Sequence, residues 1–440
     1  MFVIAIKYYL QQMVEILFFF KERRLAYKIS SHLQEKSTKQ GIDKYQERKL
    51  AWICASAIKA GGYYSKLPVE ATIKSFPIVG KKKIRVLESQ FINYQFSKKK
   101  KFKFTTGGST GEPFSFFVSR MSGLKDRYHF LFFFKKIGYL SGDKIFSLDG
   151  VLVPEKDIKR NIYWKRTRYK DIPYGSLHFS TLCLTKETAS YYIEKLNQEN
   201  PAFIRSYPSA IVDLANYIKL NNIKIGFKLK GIVLSSENVY QEQIQLLNET
   251  FNTPVYGQYG HSEMSVFAYT EANSLQYKCS PYYSYVEILN KEGEHAQEGE
   301  SGNIVVTDFF NHAMFFIRYD TGDVAGFGGY DENGFLIFDR ILGREQEFIY
   351  NKRGETINVT ALIFGQHYKA FSFIEKWQIE QIEKGKCVIH IIKSPGYSTE
   401  NETEIRMKFN DFNIDVDFNY PNIIPLTQRG KHQLVKLNIR

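Results

Sequence analysis

Between residues 140 and 310 the apolar positions follow two alternating spacings. Short continuous runs at 144–148 (KIFSL), 202–205 (AFIR) and 231–234 (GIVL) have the length and composition of buried strands. Between and after them, 209–220 and 241–251 place apolar residues every three or four positions, the stripe of a helix packed on one side. Strands alternating with helices predict an α/β sheet domain. From about 280 to 340 the period falls to two, at 285–288, 302–306 and 335–338, with Gly and Asn between the runs, which predicts a β-rich region. After Gly343-Arg344 a shorter α/β segment follows, with strands at 377–380 and 387–392 and helices at 360–371 and 402–410. Residues 1 to about 100 read as largely helical, broken at Gly61-Gly62 and turning near Pro68 and Pro77. The expectation is an α/β protein with a multi-layer N-terminal domain over 1–344, including the β-rich part, and a small α+β C-terminal domain over 345–440.

The N-terminal segment 1–24 (MFVIAIKYYLQQMVEILFFFKERR) is apolar but interrupted by Lys7, Gln11, Gln12 and Glu15. A spanning helix needs ~20 mainly apolar residues, so the expected element is an amphipathic helix packed on its own domain. Contact with a membrane surface is the other reading. The short basic start and small-residue cleavage site of a secretory signal are not seen.

Composition narrows the classes. The 440 residues are 43% hydrophobic and 16% aromatic, enough for more than one core, and at 24% charged the chain does not read as disordered. The net charge of +14 favours anionic partners, and no nucleic-acid motif accompanies it. Cys54, Cys183, Cys279 and Cys387 are far apart, with no Cys-x-x-Cys pair. That spacing suits a reducing, cytoplasmic compartment and gives no support for a zinc site.

The densest chemistry lies at 105–113, TTGGSTGEP, where nine residues hold three glycines and four hydroxyls between a lysine-rich run and the apolar 114–118. Glycine lets the backbone approach a ligand closely, and hydroxyls with free N–H groups can cradle a phosphate. No Gly-Lys-Ser/Thr closes the stretch, so it is not the common nucleotide loop. Further on, Tyr259 could stack on a purine, Ser262 could donate to a phosphate and Glu263 could hold magnesium. Asp323, after Thr321-Gly322, is placed to accept from two ribose hydroxyls. Arg340 and Arg344 bracket a turn, and Lys431, after Gly430, can bring an ammonium to an oxygen that gains charge. Each stretch alone also reads as a plain turn, strand end or surface lysine.

Their order does not. Gly-rich loop, Ser235-Ser236-Glu237, Tyr259-Gly260-His261-Ser262-Glu263, Thr321-Gly322-Asp323, Gly343-Arg344 and Gly430-Lys431 occur in one series. The series resembles the adenylate-forming (ANL) superfamily of acyl-CoA synthetases and peptide-synthetase adenylation domains. Within it, Phe76-Pro77-Ile78-Val79 and Ser235-Ser236-Glu237 resemble the phenylacetate–CoA ligase branch and its CapK relatives from polysaccharide gene clusters. The resemblance spans roughly 60–440.

The resemblance implies that Thr105, Thr106, Gly107, Gly108, Ser109, Thr110 and Gly111 hold the ATP phosphates. Ser236 and Glu237 would line the adenine pocket, Tyr259 and Gly260 would flank adenine and acyl group, and Ser262 would touch the α-phosphate. Glu263 would ligate magnesium, Asp323 the ribose and Arg344 the ribose or phosphate. Lys431 would stabilise the α-phosphate during adenylation. The acyl pocket would draw on 128–134, Tyr207 and 257–258. Two positions depart from the pattern: Glu112 replaces the loop lysine, and Gln346 stands where the hinge is usually Asp. The implied activity is ATP- and magnesium-dependent conversion of a carboxylic acid to an acyl-adenylate, then transfer to a thiol of CoA or a carrier protein. Transfer to an amine of a sugar or amino acid in a polysaccharide pathway is the alternative. A non-catalytic nucleotide- or glycan-binding protein is the third reading, and retention of Glu263, Asp323 and Lys431 argues against it.

Overall fold

The computed structural model describes residues 24–25, 27–28, 37–96, 101–106, 114–171, 173–344, 348–359, 362, 370, 373–428 and 430–439. The N-terminal segment, the loop 107–113, Gln346 and most of the helix expected at 360–371 lie outside the described residues.

Helix α1 (Lys39–Ala60) is capped by the Thr38 side chain, which accepts from the Gly41 N–H. Two strands, Lys101–Thr106 and Phe114–Ser119, pair antiparallel with Thr106 opposite Phe114, so they flank the glycine-rich stretch directly. Helix α2 (Arg120–Lys136) follows, with Ser119 as its cap. Then come β1 (Ile145–Asp149), β2 (Gly175–Ser180), α3 (Ala189–Glu199), β3 (Phe203–Ser206), α4 (Pro208–Leu220), β4 (Gly231–Ser235), α5 (Gln241–Phe251) and β5 (Val255–Gly260).

These five strands are mutually parallel and lie in the spatial order 2-1-3-4-5. Residues of α3, α4 and α5 pack on one face around Leu148, Ile204, Ile232 and Leu247. Helix α2 covers the other face through Phe130, Phe133 and Phe134 against Phe203 and Val233. A parallel sheet covered on both faces needs strands apolar on both sides, which is why 203–206 and 231–235 are buried at every position. In this strand order the connections diverge between β1 and β3, and the crevice at their carboxyl ends is where open α/β sheets bind ligands.

The sheet continues antiparallel through β6 (Phe267–Thr270), β7 (Tyr277–Cys279), β8 (Ser284–Leu289), β9 (Ser301–Asp308), β10 (Tyr319–Tyr330) and β11 (Leu336–Arg344). This half is the β-rich region expected from the two-residue period. A smaller C-terminal domain follows, with β12 (Ile374–Glu383), β13 (Lys386–Lys393), α6 (Thr399–Asn410), β14 (Asp415–Asn419) and β15 (Val435–Leu437). Its four-stranded sheet closes its own core around Ile379, Ile389, Ile391 and Phe409. No described helix is long and apolar enough to cross a membrane.

Candidate functional site at the junction of the two domains

Gly430 and Lys431 lie on the carboxyl ends of the parallel strands, at the point where their connections diverge. Gly430 is the contact residue. Its carbonyl accepts from the Thr181 hydroxyl at 2.9 Å. Its φ is +69°, and a Cβ there would meet Thr181 Oγ1 at 2.1 Å and the Gly150 Cα at 3.2 Å. Only glycine meets both the left-handed backbone and the close approach. The next residue, Lys431, donates from Nζ to the Ser236 carbonyl at 3.1 Å, and its ammonium lies 5.3 Å from the centre of the Tyr207 ring. Ser236, just past β4, has φ +73°. A non-glycine residue in that region is uncommon and tends to mark a functional turn.

Glu237 faces both domains. Its carboxylate accepts from the Ser209 N–H at 2.9 Å and hydroxyl at 3.1 Å, and from the His432 N–H at 3.0 Å. It therefore caps the N-terminal turn of α4, where Pro208 opens the helix, and ties that turn to the C-terminal domain. Burial pushes its pKa up, against the opposing pull of Ser209, His432 and Lys431. The sequence resemblance implies Glu237 in the wall of an adenine pocket, and in the structure its carboxylate is engaged at the domain junction. Lys376 pairs with Asp213 at 2.5 Å and Lys186 with Glu375 at 2.7 Å, two more ion pairs across the junction.

Three expected residues converge on one side of the junction. Tyr259, on β5, donates to Asp323 Oδ2 at 2.8 Å. Asp323 pairs in register with Arg344 across β10 and β11. The Thr321-Gly322 step was expected to be a turn, and here it is corrected to an irregularity inside β10. The register with β9 slips between Asn303 and Val305, and Gly322 has φ +74°. A bulge re-aims the side chain that follows it.

Glu263 lies in the loop after β5. It is 1% exposed, with Tyr319 donating to Oε1 at 2.7 Å, Lys81 3.4 Å from Oε1 and His261 3.2 Å from Oε2. Burial alone would raise its pKa, but His261, Lys81 and Tyr319 outweigh it and hold the carboxyl well below its ordinary range. An ionised oxygen donor fits magnesium. Among the described residues no cluster of three or more His, Cys, Asp or Glu forms a metal cage. Glu263 would thus supply one ligand, leaving other positions to substrate phosphates. Ser262 is exposed beside it, and Gly260 ends β5. Thr105 is on the hairpin strand, 3.1 Å from the Ser115 hydroxyl. Gly107–Gly111, the core of the expected phosphate loop, and Gln346 fall outside the described residues, and Thr106 and Arg344 are placed by backbone alone.

Sequence reasoning did not find Lys81, His261 or Thr181. Lys81 and Thr181 touch the site through partners far away in the chain, which no local spacing signals; His261 lies two residues before its partner Glu263.

The fold is shared with solved acyl-CoA ligase structures. The crystal structure of 2-hydroxyisobutyryl-CoA ligase in the postadenylation state with R3-HIB-AMP superposes with a TM-score of 0.66 at 16% identity, covering 90% of this chain and 89% of that one. The same ligase with 2-HIB-AMP and CoA in the thioesterification state gives 0.55 at 16% identity, over 91% and 90%. Among curated proteins, Protein CapK of Staphylococcus aureus is 27% identical over 402 residues, which cover 87% of this chain and 84% of that protein. No family model matches the chain.

Proposed function

We propose that the protein activates a carboxylic acid with ATP, forming an acyl-adenylate and releasing pyrophosphate, and then passes the acyl group to a thiol of CoA or a carrier protein. The observation that carries this reading is Lys431, brought 3.1 Å from the Ser236 carbonyl at the carboxyl end of β4. There its ammonium can offset charge on the α-phosphate as the acid oxygen attacks, a positioning and electrostatic task. Asp323, oriented by Tyr259, accepts the ribose hydroxyls, with Arg344 beside it. The stretch 105–111 and Ser262 hold phosphates, and Ser236, Tyr259 and Gly260 border the base and acyl group. Glu263 would hold a magnesium ion, which would supply charge neutralisation on the phosphates.

The better superposition on a postadenylation state than on a thioesterification state supports assigning this arrangement to the first half-reaction. The domain boundary falls at 344/345, with Gln346 in the hinge. Likeness to the phenylacetate–CoA ligase branch, and a place in cell-surface polysaccharide formation, rest on the sequence motifs and the CapK match.

Acid-dependent exchange of labelled pyrophosphate into ATP, over a panel of carboxylic acids with AMP followed in parallel, tests the reading. Exchange with at least one acid is expected. Absence of both exchange and ATP binding at millimolar nucleotide would overturn it. Adding CoA, a carrier thiol or an amine in turn identifies the acceptor.

A further inference from the structure

Arg205 carries a buried charge near this junction that the adenylation chemistry does not use. It sits at the carboxyl half of β3, paired in register with Ser147 of β1, on the face covered by α2. The residue is 8% exposed and its Nε is buried with no hydrogen-bond partner. Among the described residues its guanidinium makes no hydrogen bond or ion pair. Its contacts are aromatic: the Tyr174 ring at 4.8 Å and the Phe130 ring at 6.0 Å. The buried Asp126 carboxylate attracts Arg205 electrostatically but makes no hydrogen bond to it. Asp126 accepts from the Tyr283 hydroxyl at 2.7 Å, and Asp149 pairs with His178 at 3.0 Å. Buried charges in proteins are paired or ligand-bound, because an unpaired one forfeits its hydration without compensation. Two residues further along is Tyr207, beneath the Lys431 ammonium. Along a strand that separation is about 7 Å.

We propose that the acid activated here carries a second carboxylate, a short spacer away from the reacting one, and that Arg205 binds it. The planar guanidinium matches a carboxylate through two parallel N–H donors, with the Tyr174 and Phe130 rings beside it. Arg205 thereby selects short dicarboxylic acids against monocarboxylic acids of the same length, for which its charge would stay buried and unpaired. The inference rests on the adenylation reading above.

The test is acid-dependent exchange of labelled pyrophosphate into ATP with matched acids, succinate against butyrate and glutarate against pentanoate, with phenylacetate as an aromatic acid. It is run on the parent protein, Arg205→Met and Arg205→Lys, with ATP binding measured by calorimetry on each. The expected kcat/KM advantage of the dicarboxylate is about 100-fold or more, since a site built for a polar group rejects the analogue lacking it. Arg205→Met should abolish that advantage while binding ATP like the parent, and Arg205→Lys should keep part of it. Preference for butyrate, pentanoate or phenylacetate, or a dicarboxylate preference that survives Arg205→Met, overturns the inference. ATP binding with none of these acids activated overturns it alone. No ATP binding by the parent overturns the adenylation reading and this inference with it.

Discussion

The Tyr259 hydroxyl donates to the Asp323 carboxylate at 2.8 Å, joining the end of the parallel strands to the antiparallel half of the sheet. The two residues are 64 positions apart in the chain. One carboxylate oxygen is fixed by the phenol, and the Thr321-Gly322 irregularity sets the direction of the side chain. Burial, with Asp323 beside it, raises the Tyr259 pKa well above its ordinary value, so the hydroxyl stays protonated and remains a donor.

Asp323→Ala is expected to weaken ATP binding by more than one ordinary hydrogen bond, since bonds to a charged acceptor are worth roughly 1.5–3 kcal/mol each. Tyr259→Phe, which removes only the orienting donor, should have the smaller effect. Calorimetric titration with ATP compares the two. Unchanged affinity in a folded Asp323→Ala protein would remove Asp323 from the nucleotide site.

Lys431→Ala should lower acid-dependent pyrophosphate exchange by about 100- to 1000-fold, the usual cost of losing one transition-state donor. ATP affinity should change little, because the ammonium is needed chiefly as charge develops. Exchange at the parent rate would reduce Lys431 to a structural contact.

Gly430→Ala tests the docking of the same segment without touching the ammonium. The new methyl would collide with Thr181 Oγ1 at 2.1 Å, in a backbone conformation of φ +69°. Exchange should fall by about 100-fold, as expected for a displacement near 1 Å of a reacting group. Adding Thr181→Ala should restore part of the rate, because it relieves the collision but not the backbone strain. A fully active Gly430→Ala protein would show that this packing is not needed for turnover.

Glu263 makes stability depend on pH. Its carboxyl is held below the ordinary 4.5 in the folded protein, so folding favours the ionised form. That stabilisation is present above the unfolded value and is lost as pH falls through and beneath it. Glu263→Gln should therefore lose about 3 kcal/mol near neutrality, the low end for breaking a buried pair because Lys81 is 30% exposed. The gap from the parent should narrow progressively below about pH 4.5. Thermal melts across pH 3 to 8 read it, and a gap that stays constant would mean that the charge of Glu263 carries none of the stability.

Local pattern made much of the scaffold legible. The helix expected at 241–251 has those bounds, and the strand expected at 231–234 is one residue longer, Gly231–Ser235. The strand read at 377–380 extends to Ile374–Glu383, because pairing with Lys386–Lys393 carries it past the apolar run. The Thr321-Gly322 step misled because a bulge and a turn use the same residues, and only the register of the facing strand separates them. Arg205 gave no signal of its own, since Phe203-Ile204-Arg205 simply continues a strand.

The sequence by itself determined the alternation of strands and helices, the change to a β-rich half and the ordered series of polar turns, because these follow from periodicity and backbone preference within a few residues. Tertiary structure alone decided that Glu237 turns to Ser209 and His432, that Gly430 rests on Thr181, and that Arg205 Nε is buried with no hydrogen-bond partner. Each of those depends on what another part of the chain, from 28 to 249 positions away where a bond is formed, places opposite the side chain. Burial and pairing are properties of that meeting, and no spacing within one segment encodes them.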